Sequence, residues 1–166
     1  MDIAVKPAKK WILKMAPNNL PLVFRRGFGF HPVFVILALL VFKPLAAEEV
    51  PHFIEGSTTI EAQALIDLVL EKEDLVIIDS RIEADLNEGY IEGAVNLPNI
   101  STNCESLGSI ISTHRTPVAF YCNGVKCKRS SEAVRIALAC GYTNLHWFRG
   151  GIEEWKNRQY PIVQPD

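Results

Sequence analysis

The chain has 166 residues, with 17 Lys and Arg against 19 Asp and Glu, for a formal net charge of -2. Apolar residues at 48% and charged residues at 22% exclude disorder over most of the chain. A near-neutral chain without a basic stripe excludes a dominant nucleic-acid role, and four cysteines are too few for a disulfide-built miniprotein.

Charge is unevenly spread. Residues 1–47 carry Lys6, Lys9, Lys10, Lys14, Arg25, Arg26 and Lys43, with His31, against the single acid Asp2. Within this stretch runs Val33-Phe-Val-Ile-Leu-Ala-Leu-Leu-Val-Phe42, ten apolar residues closed by Lys43-Pro44. A membrane-spanning helix needs about 20 apolar residues, so the run is too short to span. A basic region, a run of about 7–15 apolar residues and then small residues make the pattern of a signal peptide. Residues 1–47 are therefore expected to be a leader cleaved near Ala47, and Arg25-Arg26-Gly27-Phe28 resembles the twin-arginine variety. Met15 is an alternative start. Export to an oxidising compartment, the periplasm, follows from that expectation, with no stable membrane span after cleavage. The alternative is a retained N-terminal anchor.

Residues 48–57 read as a short linker, and 58–163 as one domain. Thr58-Thr59-Ile60-Glu61 has capping-box spacing, and Ala62, Leu65, Ile66, Val69 and Leu70 recur at helical intervals, predicting a helix over 60–71. Leu75-Val-Ile-Ile-Asp79 is a wholly apolar run ending in a carboxylate, the pattern of a strand buried on both faces. Ala94–Leu97 reads as a second short strand and 104–112 as a weak helix containing Gly108. Pro117–Cys122 is the next strand. A helix follows, opened by Ser130 or Ser131, carrying Val134, Ala137 and Leu138 on one face and stopped by Gly141. Leu145–Phe148 is a further strand, and Gly150-Gly151 precedes a short helix through Trp155. Strands alternating with helices predict an α/β domain with a mostly parallel sheet.

In open α/β sheets, ligands gather at the carboxyl ends of the strands. Cys122 occupies such a place and opens the loop Asn123-Gly-Val-Lys-Cys-Lys-Arg-Ser-Ser131. Loop amides and a following helix N-terminus favour an anion, and they lower a thiol's pKa. Lys126, Lys128 and Arg129 add positive charge, so the segment suits a nucleophilic thiolate acting on an anionic, sulfur-bearing substrate.

Four stretches then resemble the rhodanese family. They are Ile78-Asp-Ser-Arg81, Gly89-Tyr-Ile-Glu-Gly-Ala-Val-Asn-Leu-Pro98, Phe120-Tyr-Cys122 with its loop, and Gly141 through Trp155. The resemblance implies a three-layer α/β domain with a central, mostly parallel sheet flanked by helices, over about Thr58 to Pro161. It also implies sulfur transfer: Cys122 takes the outer sulfur of thiosulfate or a similar donor as a persulfide and passes it to cyanide or a thiol. Arg129 is the second catalytic residue so implied. Arg81, Asn123, Gly124, Val125, Lys126, Cys127, Lys128 and Ser130 are the expected substrate-binding residues. Asp79 and Glu83 are expected to hold loops.

The loop departs from the family pattern. Common single-domain rhodaneses have five residues in the loop after the cysteine, with an Arg–Ser pair near its end, and the phosphatases that share their fold have five between cysteine and arginine, whereas six separate Cys122 from Arg129. The chain is thereby set apart from the phosphatases. Three readings stand for Cys127: an alternative persulfide carrier, a resolving thiol, or a disulfide partner of Cys122. The rival to sulfur transfer is a non-catalytic, redox or thiophilic-ion-binding module built on the Cys122/Cys127 pair, with a redox protein as a candidate partner. No Gly-x-Gly-x-x-Gly and no Walker loop occur, so no nucleotide or flavin cofactor is expected, and no second ligand pair suggests a metal. Cys140 reads as core and Cys104 as a helix-start residue without a role. His114 and His146 read as structural. Trp147, Phe148 and Trp155 read as packing under the sheet.

Overall fold

The computed structural model describes residues 49–165. The expected leader lies outside the described residues. Eleven short elements follow the chain: β1 (Thr58–Ile60), α1 (Ala62–Glu71), β2 (Val76–Asp79), a 3-10 turn (Glu83–Glu88), β3 (Val95–Asn96), a second 3-10 turn (Asn99–Ser101), α2 (Cys104–Ile110), β4 (Val118–Tyr121), α3 (Arg129–Ala139), β5 (Leu145–Phe148) and α4 (Gly151–Asn157). The five strands form one sheet in the order β1-β5-β4-β2-β3, with every pairing parallel. This is the α/β arrangement with a parallel sheet that the alternating pattern predicts, in the three layers that the family resemblance implies.

Strand periodicity sorts the core into two halves. Ile78, Val118, Phe120 and Trp147 face one side and pack with Leu107 and Ile111 around α2 and with Ala133, Val134 and Ala137 of α3. Ile77, Ala119, Tyr121 and Phe148 face the other, against Ala62 and Leu65 of α1 and Ile152 and Trp155 of α4. Burial on both faces explains why β2 and β4 are apolar at successive positions.

The chain start of the domain differs from expectation. Thr58–Ile60 is the edge strand β1, paired with His146–Phe148, and not the first turn of a helix. Three β-branched residues in a row favour the extended form over a cap. Helix α1 begins at Ala62, whose N–H donates to Glu154 Oε1 at 2.9 Å, so a distant carboxylate supplies the cap. Val69 and Leu70 at its far end are exposed, so the apolar stripe buries only its first turns. The stretch read as a linker belongs to the body as well. Ile54 is buried in the core, Val50 packs against it, and Arg149 Nε donates to the Pro51 carbonyl at 2.8 Å.

Helix α2 is firmer than Gly108 suggests because Asn103 caps it. Asn103 Oδ1 accepts from the Glu105 and Ser106 N–H groups, and Ser106 Oγ accepts from the Asn103 N–H. Helix α3 ends as expected at Gly141, with φ +90°; Tyr142 N–H reaches the Ala137 carbonyl and Gly141 N–H the Leu138 carbonyl. Cys104, at the start of α2, and Cys140, at the end of α3, form a disulfide with Cα atoms 5.4 Å apart. Cys104 therefore has a role after all, and Cys140 is a tether rather than filler. The two helices cover the same sheet face, which brings cysteines 36 positions apart together. A loop of this length predicts that replacing both with Ser lowers the unfolding free energy by about 3–4 kcal/mol, read from urea titrations with and without reductant.

Candidate functional site: the Cys122 loop

Strand β4 lies in the middle of the sheet, and Cys122 follows its last residue. Only 1% of Cys122 is exposed. Its position is fixed from behind by α4: Ile152 N–H donates to the Cys122 carbonyl and Glu153 N–H to the Asn123 carbonyl, both at 2.9 Å. That approach requires Gly151. Its φ is +57°, and a Cβ there would collide with the Cys122 carbonyl.

The loop turns back on itself through the Cys127 N–H, which donates to the Gly124 carbonyl at 2.9 Å. The N–H groups of Gly124, Val125, Lys126 and Lys128 donate to no acceptor among the described residues. Helix α3 starts at Arg129 with no side-chain cap on its N-terminus. Free amides and an uncapped helix start face the same loop, the conditions for holding negative charge. Beside it is an open cleft of about 400 Å³ lined by Asn123, Gly124, Lys126, Cys127, Lys128, Arg129 and Glu153. Three cations and one carboxylate give the lining a positive balance.

Cys122 and Cys127 are joined by a disulfide, with Cα atoms 6.3 Å apart. In this state neither sulfur titrates and neither is a nucleophile. The two sulfurs are not equivalent, because Cys127 lines the cleft whereas Cys122 lies buried beneath it. Arg129 Nε donates to Cys127 Sγ at 3.5 Å.

The family model for the rhodanese-like domain matches residues 61–158. The chain belongs to the rhodanese-like family. An uncharacterized protein of Escherichia coli K12, YibN, is 28% identical over 145 residues, covering 82% of this chain and 93% of that one. A protein named sulfurtransferase from Allochromatium vinosum is 29% identical over 107 residues, covering 64% and 95% respectively. Among solved structures, a rhodanese-like domain protein from Staphylococcus aureus superposes with a TM-score of 0.55 at 22% identity, covering 66% of this chain and 99% of that one, a likeness of fold.

Within the rhodanese-like domain, the expected site residues divide. Asn123, Gly124, Lys126, Cys127, Lys128 and Arg129 come together around the cleft. Val125 is exposed on the loop but lies outside that lining. Ser130 is buried, and its hydroxyl accepts from Trp147 Nε1 at 3.0 Å, so it joins α3 to β5 instead of facing a substrate. Arg81 is also withdrawn. It is 0% exposed, and its guanidinium grips the Asp79 carboxylate through Nε at 2.9 and 3.0 Å and Nη2 at 2.6 Å. Of its other N–H groups, Nη1 donates to the Asp85 carbonyl at 3.2 Å and Nη2 to the Gly89 carbonyl at 3.0 Å, so the buried guanidinium is turned to the protein rather than to a substrate. Glu83 is exposed, and Trp147, Phe148 and Trp155 are buried as expected.

Two residues escaped the sequence reading. Asp85, in the 3-10 turn after β2, accepts from Arg129 Nη2 at 2.8 Å and from Asn123 Nδ2 at 3.2 Å. Glu153, on α4, lines the cleft over Gly124. Neither lies near Cys122 in sequence. Only the stacking of loops at one sheet edge brings them in.

The pair Asp79–Arg81 is completed by the Tyr121 hydroxyl, which donates to Asp79 Oδ2 at 2.7 Å. Burial tends to lower the Arg81 pKa, but the hydrogen bonds and charge of Asp79 leave it raised above its ordinary value. Burial, then the Asp79 charge, push the Tyr121 phenol well above its ordinary value. Removing one partner strands the other, so Arg81→Met should lower the unfolding free energy by about 3–5 kcal/mol, with Asp79→Leu/Arg81→Met recovering much of the loss. Denaturant titrations of both variants check this. A phenol that stays protonated when folded but ionises when unfolded makes stability full below about pH 10 and falling above it. Stability measured from about pH 8 to about pH 11 should show that decline, and Tyr121→Phe should lack its share of it.

Proposed function

We propose that this rhodanese-like domain is an exported sulfurtransferase. It moves sulfane sulfur from thiosulfate or a similar small anion, through a persulfide on Cys122, to a thiol or cyanide acceptor. The observation that carries the reading is the site of Cys122. It ends the central strand beside a loop with unclaimed amides, an uncapped helix start and a cationic cleft, in a chain of this family. The Allochromatium vinosum relative's name points the same way.

The chemistry begins from the reduced loop. Opening the disulfide leaves Cys122 as a thiol whose anionic form the free amides and the helix start favour. The thiolate attacks the outer sulfur of thiosulfate, the donor's S–S bond breaks, and sulfite leaves with the electron pair. Lys126 and Lys128 receive the donor's charge at the cleft. Arg129 is half-exposed and held by Asp85, so it meets the donor as part of an ion pair rather than as an isolated cation. The persulfide anion that remains occupies the place of the thiolate.

Export is supported by the pairing of all four cysteines, a state that persists in oxidising compartments. Among the described residues, no helix is long and apolar enough to cross a membrane. The disulfide at the loop also favours a second reading, a redox module that cycles Cys122 and Cys127 without carrying sulfur. Sulfite release from thiosulfate by reduced protein, with a dithiol present, separates the two. Release that falls to the uncatalysed background in Cys122→Ser is the expected result. No release from the reduced parent protein overturns sulfur transfer from thiosulfate and leaves the redox reading.

A further inference from the structure

We infer that Cys127 is the resolving thiol of the site: the first acceptor of the Cys122 persulfide is the protein's own second cysteine, and the products are sulfide and the Cys122–Cys127 disulfide. The inference rests on the persulfide reading above for its first half. It goes beyond that reading by naming the acceptor, the product and the class of partner that restores the enzyme.

Three observations lead there. The loop brings the two sulfurs within bonding distance, so Cys127 reaches Cys122 Sγ without any unfolding of the domain. Cys127 already stands on the cleft wall next to the Cys122 sulfur, so its attack is intramolecular, whereas an acceptor from solution must first enter the cleft. Arg129 Nε at 3.5 Å from Cys127 Sγ places a cation where a Cys127 thiolate needs one.

The step balances. The Cys127 thiolate attacks the inner sulfur of the Cys122 persulfide. A new Cys122–Cys127 S–S bond forms, the bond to the outer sulfur breaks, and that sulfur leaves with the electron pair as hydrosulfide, taking the proton that the Cys127 thiol gives up. The outer sulfur is reduced by two electrons and the cysteine pair is oxidised by two. Resetting needs an external dithiol, which attacks Cys127 because that sulfur is the accessible one, and then leaves as its own disulfide. The net reaction converts thiosulfate and a dithiol into sulfite, hydrogen sulfide and a disulfide. The partner is therefore a dithiol reductant, and an enzyme that consumes sulfide or sulfite fits downstream.

The test is a single turnover of the full chain, reduced, freed of reductant and mixed anaerobically with one equivalent of thiosulfate. Sulfite, sulfide and the peptide masses at Cys122 and Cys127 are read together. The parent protein should release sulfite and sulfide in equal amounts and end as the Cys122–Cys127 disulfide without added sulfur. Cys127→Ser should release sulfite, no sulfide, and retain about 32 Da on Cys122. A parent protein that keeps the sulfur on Cys122 with Cys127 free overturns the inference, as does Cys127→Ser releasing sulfide at the parent rate. Loading with polysulfide in place of thiosulfate, followed by desalting, separates this from the donor reading. Disulfide in the parent and persulfide in Cys127→Ser, with thiosulfate inert toward both, would remove thiosulfate as donor and leave the resolving step standing. Persulfide retained by both forms overturns it.

Discussion

The buried ion pair between Asp79 and Arg81 is the constraint on which the Cys122 end of the domain rests. Two charges removed from water are costly unless their attraction is backed by further hydrogen bonds, and here it is. Arg81 spends its N–H groups on Asp79 and on the carbonyls of Asp85 and Gly89, while Asp79 also accepts from the Arg81 backbone and the Tyr121 hydroxyl. Asn96 Nδ2 adds bonds to the carbonyls of Asp79 and Arg81, tying in β3. The pair thus fixes the end of β2, the 3-10 turn behind it and the last residue of β4 to one another. Tyr121 is next to Cys122, and the turn carries Asp85, the carboxylate that holds Arg129 and Asn123. Arg81 acts on the cleft at one remove, through the backbone of Asp85.

A second brace comes from the opposite side. Helix α4 starts with Gly150-Gly151, and its first free N–H groups are claimed by the carbonyls of Cys122 and Asn123. The loop carbonyls are therefore held down while loop amides remain unclaimed. That asymmetry gives the loop its preference for anions, since the groups left over are donors. Trp147 and Ser130 join β5 to the first turn of α3, so the helix start is anchored by a side-chain bond inside the core rather than by a cap at the surface.

The fold was legible because its strongest signals are local. The apolar run Val76–Asp79, the strand Leu145–Phe148 and the Gly141 stop each sit where short-range pattern places them, and the Cys122 loop announces itself by a cysteine at a strand end amid cations. What was not legible depends on contacts distant in sequence. The Thr58–Ile60 strand exists by pairing with β5, and the cap of α1 comes from Glu154, far along the chain. Cys104 and Cys140 meet only because α2 and α3 share a sheet face. Arg81 and Ser130 lie in the motifs that resemble the family, and the motifs do not reveal which way a side chain points. One arginine of the loop region turned inward and the other, Arg129, outward to Asp85.

The two disulfides divide labour by burial and position. Cys104–Cys140 staples the two helices that cover one sheet face, well away from the loop, and so adds to the scaffold whatever the state of the site. Cys122–Cys127 closes a loop of only a few residues, which contributes less chain-entropy stabilisation than the longer tether. It faces the cleft through Cys127, while the longer tether holds the scaffold elsewhere. The six residues that separate Cys122 from Arg129 belong to this division. The loop seats a second cysteine that contacts Arg129 and bonds to Cys122, so the contact at the helix start and the closed state of the site have one structural origin.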